Sequence, residues 1–551
     1  MLIIKGVCVS PGVAMGPLRF LKNEPLIIRR EKTDDAKNEA ARFEKARTAA
    51  YAQLDELYRE ALNRVGEESA AIFDIHKMML DDLDFRESVT DMIRAQSMNA
   101  EYAVSLTAQK FAAIFSSMDN AYMKSRAADV FDISERVQKA LNPGSCAPFV
   151  INAPSILAAR DIAPSEAVQL DKNMILGFAT AEGTDKSHVS ILAGSMGIPA
   201  VIGMGAELAA EMDGKTAILD GFTGTLYVEP DDAICAMMSN KLHEVREKRE
   251  ALNALKGRPN VTPDGRKIDI FANVNTLSGL DEVIDNDAGG IGLFRSEFLY
   301  LGRRDYPTEE EQFAVYKRAA EIMDGKKVVI RTLDIGADKR ADYFNLPHEE
   351  NPAMGLRAIR LCLTRPEIFK TQLRALYRAS AFGNIAIMFP MIISAREVED
   401  ILKITEDVKA DLRRGNVPFN EKTERGIMIE TPAAVMTSGE LAKMADFFSI
   451  GTNDLSQYTL AIDRQNRQLD RFYDPHHPAV LKMIEMTVKS AHDAGIWVGI
   501  CGELGADLEL TETFLRMGVD ELSVSAGMVL PLREKILSLG SGKSPGFADR
   551  P

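Results

Sequence analysis

At 551 residues the chain is too long for one ordinary domain and predicts about two to four, each large enough to bury a core. Its 66 Lys plus Arg against 81 Asp plus Glu leave a formal net charge of −15, which argues against nucleic acid or an acidic membrane as main partner, because either calls for a basic face. No basic leader precedes a long apolar stretch and no apolar run reaches bilayer length, so a cytoplasmic protein is expected, and five scattered cysteines (Cys8, Cys146, Cys235, Cys362, Cys501) fit neither a disulfide framework nor a zinc site.

The first twenty or so residues are strand-like, rich in Val, Ile and Gly, with a turn at Ser10-Pro11-Gly12. From about Thr33 the character changes. Residues 33–65 and 84–141 carry Ala, Leu, Glu, Lys and Arg at helical spacing with few Gly or Pro, which predicts a helical bundle. Short β-type runs return after Asn142-Pro143-Gly144, at 148–151, 174–178 and 216–219. The simplest topology is a small α/β domain interrupted by a helical insertion. Residues 236–256 read as a charged linker helix ending at Gly257-Arg258-Pro259. Beyond it come eight apolar β runs, at 268–274, 290–294, 328–333, 385–391, 426–429, 447–450, 496–500 and 522–524, most of them separated by helical stretches. That alternation predicts a (β/α)8 barrel.

His188, one of seven histidines, lies in Gly183-Thr184-Asp185-Lys186-Ser187-His188-Val189-Ser190-Ile191-Leu192-Ala193. Small polar residues lead into an apolar run that reads as a helix, so the imidazole falls in a first turn, beside unpaired backbone N–H groups that suit an anion. Imidazole is a competent nucleophile near neutral pH. A phosphorylatable histidine is therefore one reading, and a capping or packing histidine is the other.

In such a barrel the active site is expected where the strands end. The polar residues closing the apolar runs are Asn273 and Asn275, Arg295, Arg331 with Asp334, Glu430, Asn453 with Asp454, and Cys501 with Glu503. Arg295 and Arg331, together with Arg357 and Arg464, offer guanidinium forks that keep their charge and bind phosphate or carboxylate bidentately, so they point to a small, multiply anionic substrate. Glu430 and Asp454, hard oxygen ligands on consecutive strands, suit Mg²⁺ that leaves its other positions to water and substrate. Taken singly, a strand-end Arg or Asp more often makes a structural salt bridge, and Gly451-Thr452-Asn453-Asp454 alone fits an ordinary turn with an N-cap. Gathered at strand ends, they describe a site for a metal-bound organic phosphate. Cys501 either packs as a small hydrophobe or, at such a site, exchanges a proton with a substrate carbon.

Several stretches carry a resemblance to a known family: Gly289-Gly-Ile-Gly-Leu-Phe-Arg-Ser-Glu-Phe-Leu299 followed by Pro307-Thr-Glu-Glu-Glu-Gln312, then Val329-Ile-Arg-Thr-Leu-Asp-Ile-Gly336 and Asn351-Pro-Ala-Met-Gly-Leu-Arg-Ala-Ile-Arg360. Gly426-Ile-Met-Ile-Glu-Thr-Pro-Ala433, Phe448-Ser-Ile-Gly-Thr-Asn-Asp-Leu-Ser-Gln-Tyr-Thr-Leu460 and Cys501-Gly-Glu-Leu504 complete the set. Over nearly its whole length the chain resembles Enzyme I of the bacterial phosphoenolpyruvate-dependent sugar phosphotransferase system. The resemblance implies a multidomain α/β protein: a swivelling phosphohistidine domain (1–30 and 142–229), an inserted helical subdomain that binds the phosphocarrier protein HPr (31–141), a linker helix (230–258), a phosphoenolpyruvate-binding TIM barrel (259–540) and a disordered tail (541–551). It implies that Arg295 and Arg331 hold the phosphate of phosphoenolpyruvate, with Arg357, Asn453, Asp454 and Arg464 completing the substrate contacts. Glu430 and Asp454 would ligate Mg²⁺, Cys501 would protonate C3 to give pyruvate, and His188 would carry the phosphoryl group to HPr. A homodimer formed through the barrel is implied as well. Glu67, Glu68, Asp81, Asp82 and Asp84 give the insertion an acidic side for a partly basic partner, and Arg126-Ala-Ala-Asp129 matches a stretch near the docking surface.

The chain departs from the family around the histidine. The pattern Gly-Gly-x-Thr-Ser-His reads here Gly183-Thr184-Asp185-Lys186-Ser187-His188, and Asp-Leu-Thr-Pro-Ser reads Asp161-Ile162-Ala163-Pro164-Ser165, so a glycine and two threonine hydroxyls are replaced. After Lys535-Ile-Leu-Ser538 the sequence turns Gly/Ser/Pro-rich where the family continues into helix. Three other readings stand beside the phosphotransferase. A dikinase-like enzyme would need an ATP-binding domain, which the helical first 140 residues do not resemble. A barrel lyase that forms an enolate would not need His188. A non-catalytic phosphoenolpyruvate sensor, or a specialised paralogue with another acceptor, would fit the altered histidine motif.

Overall fold

The computed structural model describes residues 1–21, 28–64, 67–117, 121–142, 151–162, 170–183, 189–190, 193–194, 197–301, 303, 305–336, 341–464 and 466–539. The chain divides into two compact units, Met1–Glu247 and Lys248–Pro551. Among the described residues no helix is long and apolar enough to cross a membrane.

The first unit holds an eight-stranded sheet made from β1 (Leu2–Lys5), β2 (Val7–Ser10), β3 (Val13–Phe20), β4 (Ser155–Ala159), β5 (Ile175–Thr180), β6 (Ala200–Ile202), β7 (Thr216–Asp220) and β8 (Thr225–Val228). The spatial order is β1-β8-β7-β3-β4-β5-β6-β2. β3 runs antiparallel to β7 and parallel to β4, setting Leu18 against Ile156 and Ala14 against Leu219. Alternate residues of a strand face opposite sides. One face therefore packs Leu18, Ile156, Ala179, Val201 and Leu219, and the other packs Leu157, Phe178, Val189 and Ala193. The expected runs at 174–178 and 216–219 correspond to β5 and β7, whereas residues 148–150 lie outside the described residues and Ile151 precedes the strand that starts at Ser155.

Between β3 and β4 the chain leaves the sheet for helices Ala36–Arg64, Glu67–Asp81, Leu83–Gln96, Ala100–Ser117 and Ala121–Leu141. Phe43, Leu54, Phe73, Phe85, Val89, Ile93, Val104, Ile133 and Val137 form their common core. The helix over 67–81 is an addition to the stretches expected from periodicity. His76 on it is fully buried, 3.4 Å from Asp129 and 3.7 Å from Asp132.

The charged helix after β8 spans Asp232–Asn253, and its first half is no free linker. Met238 is buried against Val13 and Ile218, and Lys241 Nζ lies 2.8 Å from Asp220 Oδ2. An apolar residue set into a charged helix made this packing hard to read from composition.

The second unit is a closed barrel of eight strands: β9 (Asp269–Val274), β10 (Ile291–Arg295), β11 (Val328–Arg331), β12 (Ile385–Phe389), β13 (Glu424–Ile429), β14 (Phe447–Ile450), β15 (Trp497–Ile500) and β16 (Glu521–Val524). Every neighbouring pair is parallel, and β16 closes on β9. Parallel strands buried on both faces read as continuous apolar runs, which is why all eight were visible in the sequence. Their outer faces pack on the surrounding helices in one large core, where Ile270, Phe294, Ile330, Ile387, Ile429, Ile450 and Leu522 are almost fully buried. Burial of each such side chain contributes about 1.5–3 kcal/mol. Inside the barrel, Leu293, Val329, Met388, Met428 and Phe447 fill the lumen, with Trp497 stacked on Phe447 at 4.4 Å. The last outer helix, Val529–Ser538, is present and buries Val529, Leu532 and Ile536 in the outer core. The expected tail 541–551 lies outside the described residues.

Candidate active site

Parallel strands bring their carboxyl ends to one face, and there the barrel opens into a cavity of about 800 Å³. It is lined by Arg295, Arg331, Asp334, Arg357, Glu430, Asn453, Asp454, Arg464, Cys501 and Glu503. The barrel residues proposed from sequence therefore converge. Their local settings differ from a simple row of strand ends.

Arg295 closes β10 and donates from Nη1 to Asn275 Oδ1 at 2.6 Å. Burial lowers the pKa of its guanidinium, and the nearby positive charges of Arg331 and Arg464 lower it further. Positive groups crowded in this way stabilise an incoming anion. Arg331 closes β11 with Nη2 at 2.8 Å from Glu297 Oε1 and 3.1 Å from Asp334 Oδ2. Burial alone would depress its pKa, but Glu297, Asp334 and Glu430 outweigh that and raise it. Arg357 is not at a strand end; it directly precedes the helix Ala358–Thr364. Its Nη2 donates to Asp334 Oδ1 at 2.9 Å and its Nη1 to the Tyr458 hydroxyl at 3.2 Å, while Asp454 Oδ1 lies 3.6 Å away. Asp334 thus holds two guanidiniums in fixed orientation. The Nε atoms of Arg331 and Arg357 are buried with no hydrogen-bond partner among the described residues. Gly336 makes room for this arrangement: its φ is +125°, and a Cβ there would lie 2.4 Å from the Cβ of Arg357.

Arg464 lies beyond the end of helix Thr452–Leu460 and is exposed; its backbone N–H donates to Gln457 Oε1 at 3.4 Å. Asn453 and Glu503 bind reciprocally: Asn453 Nδ2 donates to Glu503 Oε1 at 3.0 Å, and the Glu503 N–H donates to Asn453 Oδ1 at 2.8 Å. That exchange locks the start of the helix Thr452–Leu460, after β14, to the turn that follows β15.

Glu430 follows β13, while Asp454 sits in the first turn of a helix rather than on a strand. Glu430 is 1% exposed and its Oε1 accepts from the Met391 N–H at 2.6 Å. Met391 adopts a left-handed backbone, φ 61°, to aim that N–H, a conformation that costs a non-glycine residue about 1–3 kcal/mol. Burial raises the pKa of Glu430, and the carboxylates of Asp454 and Asp334 raise it further. Two hard carboxylates facing one another in a buried setting fit a divalent cation, which removes that repulsion. Among the described residues no cluster of three or more His, Cys, Asp or Glu forms a closed metal cage. A hard divalent cation here would rest on these two carboxylates and take its other ligands from water and substrate oxygens.

Cys501 follows β15 at 3% exposure, with Sγ 3.7 Å from the Ile450 carbonyl oxygen. Burial first, then the charges of Glu430 and Glu521, push the thiol up to about 12. Near neutral pH it is a held proton, suited to donating rather than to attacking.

Glu297 and Tyr458 were not singled out in the sequence. Glu297 is buried against Arg331, and Tyr458 joins Arg357 to the Ala353 carbonyl oxygen. A carboxylate two residues beyond Arg295 was the available signal for the first, because buried arginines need counter-charge. Nothing local marked the second.

His188 lies outside the described residues, as do Ala163, Asp185 and Lys186; Val189 and Ser190, which follow the histidine, are helical and buried. Of the acidic residues expected to face a partner, Asp81, Asp82 and Asp84 are exposed. Asp81 pairs with Arg47, and Asp82 caps the helix Leu83–Gln96 by accepting from the Phe85 N–H at 3.0 Å. Glu67 and Glu68 are helical. Arg126 Nη1 lies 2.7 Å from Asp129 Oδ2.

Comparison with known proteins agrees with this geometry. Residues 249–540 match the PEP-binding domain of PEP-utilising enzymes, residues 5–126 match their N-terminal domain, and residues 151–224 match their mobile domain. The phosphoenolpyruvate-protein phosphotransferase of Staphylococcus carnosus is 39% identical over 548 residues, covering 99% of this chain and 96% of that protein. The proteins of the same name from Haemophilus influenzae and Bacillus subtilis are 41% and 38% identical, each over 99% of this chain and 96% of their own length. With three domain matches in order and full-length relatives of one name, the chain belongs to the phosphoenolpyruvate-protein phosphotransferase family of PEP-utilising enzymes.

Proposed function

We propose that this chain transfers the phosphoryl group of phosphoenolpyruvate to its own His188 and from there to a histidine of HPr, releasing pyruvate as the first step of sugar uptake by the phosphotransferase system. The observation that carries the reading is the convergence of four arginines, a carboxylate pair and a protonated thiol on one barrel mouth, in a chain that matches phosphotransferases from end to end. Arg295 and Arg331 bind the phosphate, and Arg357, Arg464 and Asn453 orient the rest of the anion. Glu430 and Asp454 would hold Mg²⁺, whose chemistry is to neutralise charge on the transferring phosphoryl oxygens. The His188 imidazole attacks phosphorus, the bond to the enol oxygen breaks, and the enolate takes the Cys501 proton at C3. Transfer of this kind is loose and needs positioning more than covalent assistance, which a set of preformed guanidiniums provides. The acidic side of the helical subdomain supports HPr as acceptor, and the family supports a cytoplasmic homodimer. The alternative of a specialised acceptor is favoured by Asp185 and Lys186, which alter the setting of the phosphohistidine.

Incubation with phosphoenolpyruvate and Mg²⁺, followed by mass analysis and a pyruvate assay, tests the reading. Acid-labile phosphate on His188 with stoichiometric pyruvate is expected. A folded, ligand-binding protein that gains no such phosphate would sink it, and a phosphoenzyme that persists in His188→Ala would move the nucleophile elsewhere.

A further inference from the structure

Asn273 and Asn275 close the first strand of the barrel, and the reaction proposed for its mouth uses neither. Asn275 is the one with a direct hold on a site arginine. β9 and β10 run parallel, with Asn273 beside Leu293 and Val274 beside Phe294. Val274 and Phe294 belong to the outer core, and Leu293 belongs to the lumen cluster. Successive side chains alternate between the two faces, so the pair that follows, Asn275 and Arg295, falls on the inner side, where Arg295 lines the mouth. There Arg295 Nη1 donates to Asn275 Oδ1 at 2.6 Å. A guanidinium only donates, so the oxygen of the carboxamide, not its nitrogen, must face it.

The nitrogens left over matter as much as the bond. Nε and Nη2 of Arg295 donate to no described residue. Together they form the side-on fork that fits two oxygens of one phosphate, and Asn275 occupies the nitrogen which that fork does not need. Charge sets this contact apart from its neighbours. Arg331 Nη2 lies 2.8 Å from Glu297 Oε1 and 3.1 Å from Asp334 Oδ2, and Arg357 Nη2 lies 2.9 Å from Asp334 Oδ1. Those two guanidiniums are steered by carboxylates, which also cancel part of the positive charge that an anion would feel. Among the described residues Arg295 has no carboxylate in an ion pair with it, and a neutral carbonyl oxygen steers it instead.

We propose that Asn275 is a positioning residue for the phosphate of phosphoenolpyruvate, turning the Nε and Nη2 fork of Arg295 toward the mouth while leaving the guanidinium charge uncancelled. The inference rests on Arg295 being a phosphate ligand in the function proposed above. Asn275 acts only through Arg295. An aspartate of the same shape would grip Nη1 more strongly, but its charge would compete with the phosphate for the same guanidinium.

The test measures the Kd of phosphoenolpyruvate with Mg²⁺ by titration calorimetry, on the full chain carrying His188→Ala, which binds the substrate without consuming it. Asn275→Ala removes the acceptor and is expected to raise Kd about three- to tenfold, as for loss of one hydrogen bond. Asn275→Asp restores an acceptor in the same place but adds a charge. It is expected to raise Kd about tenfold or more, beyond the alanine variant, with the gap between them narrowing in high salt. Pyruvate, which lacks the phosphate, is followed by competition, and Asn275→Ala should change its binding by about twofold at most. A loss as large for pyruvate as for phosphoenolpyruvate overturns the proposal. A role confined to supporting the loop predicts the reverse order, with Asn275→Asp near the parent value because it keeps the hydrogen bond, and that order overturns it too. In an Arg295→Lys background no fork is left to steer, so Asn275→Ala should add about twofold at most; the full loss repeated there would show that Asn275 does not act through Arg295. An alanine variant that binds like its parent also overturns the proposal. If the His188→Ala parent itself binds no phosphoenolpyruvate, the function proposed above fails, and the positioning role fails with it.

Discussion

Arg357 donates to Asp334 and to Tyr458 at once, and it lies 3.6 Å from Asp454. A lysine keeps the charge but concentrates it on one flexible ammonium, which cannot hold both partners in the same plane. Arg357→Lys is therefore expected to lower kcat/KM for phosphoenolpyruvate by about 10–100-fold, the worth of one charge-assisted hydrogen bond, with the circular dichroism spectrum retained. A loss below threefold in a pyruvate assay would show that the fork is dispensable. Arg331 is a different case, because it neutralises two buried carboxylates, Glu297 and Asp334. Arg331→Met removes this counter-charge from Glu297 and leaves Asp334 with Arg357, and is expected to destabilise the barrel by about 3–5 kcal/mol in denaturant unfolding. Adding Glu297→Gln to it should recover part of that loss. If the double variant is no more stable than the single one, the two side chains are not coupled through charge.

At the scale of elements, Lys241 fastens the helix Asp232–Asn253 to β7 by pairing with Asp220, whose side chain is 1% exposed. Burial would raise the pKa of Asp220, but hydrogen bonds from Lys241, Thr223 and the Phe222 N–H outweigh it, and the value falls below the ordinary 3.8. A depressed carboxylate stabilises the fold above its unfolded value, and that contribution is lost as the pH drops through the folded one. Lys241→Met should therefore destabilise the first unit at pH 7 by about 1–3 kcal/mol for a partly exposed partner, read as a lower melting temperature, and the gap to wild type should narrow as the pH is taken below 3.8. A gap that stays constant into acid would assign the loss to packing alone. How far such elements could be read in advance depends on where their energy comes from. The barrel strands were legible because burial on both faces writes a continuous apolar run, and most site residues were legible because each ends such a run. β6 and β8, of three and four residues, were not, since a strand that short owes its existence to its neighbours. Glu521 escaped as well. It sits beside Asp520, just ahead of the run at 522–524, and only Gly499 on β15 and Gly292 on β10, far away in sequence, reveal that it points into the lumen.

Across the whole molecule, hydrophobic burial is partitioned rather than continuous. The barrel has one outer core and its own lumen cluster, while the first unit has separate cores for its sheet and its helices. Units that do not share a core unfold as separate cooperative transitions. Substrate contacts of the proposed site, apart from His188, all come from the unit Lys248–Pro551, so phosphoenolpyruvate with Mg²⁺ should stabilise that transition and leave the other nearly in place. At a ligand concentration one hundred times Kd the gain is about 2.7 kcal/mol. His188→Ala is the protein to use in scanning calorimetry, because it binds the substrate without consuming it. One transition rising with ligand concentration while the other stays fixed is the expected pattern. Equal movement of both would mean that substrate is held jointly by the two units, and no movement at saturating phosphoenolpyruvate would mean that the arginine cluster at the barrel mouth does not bind it.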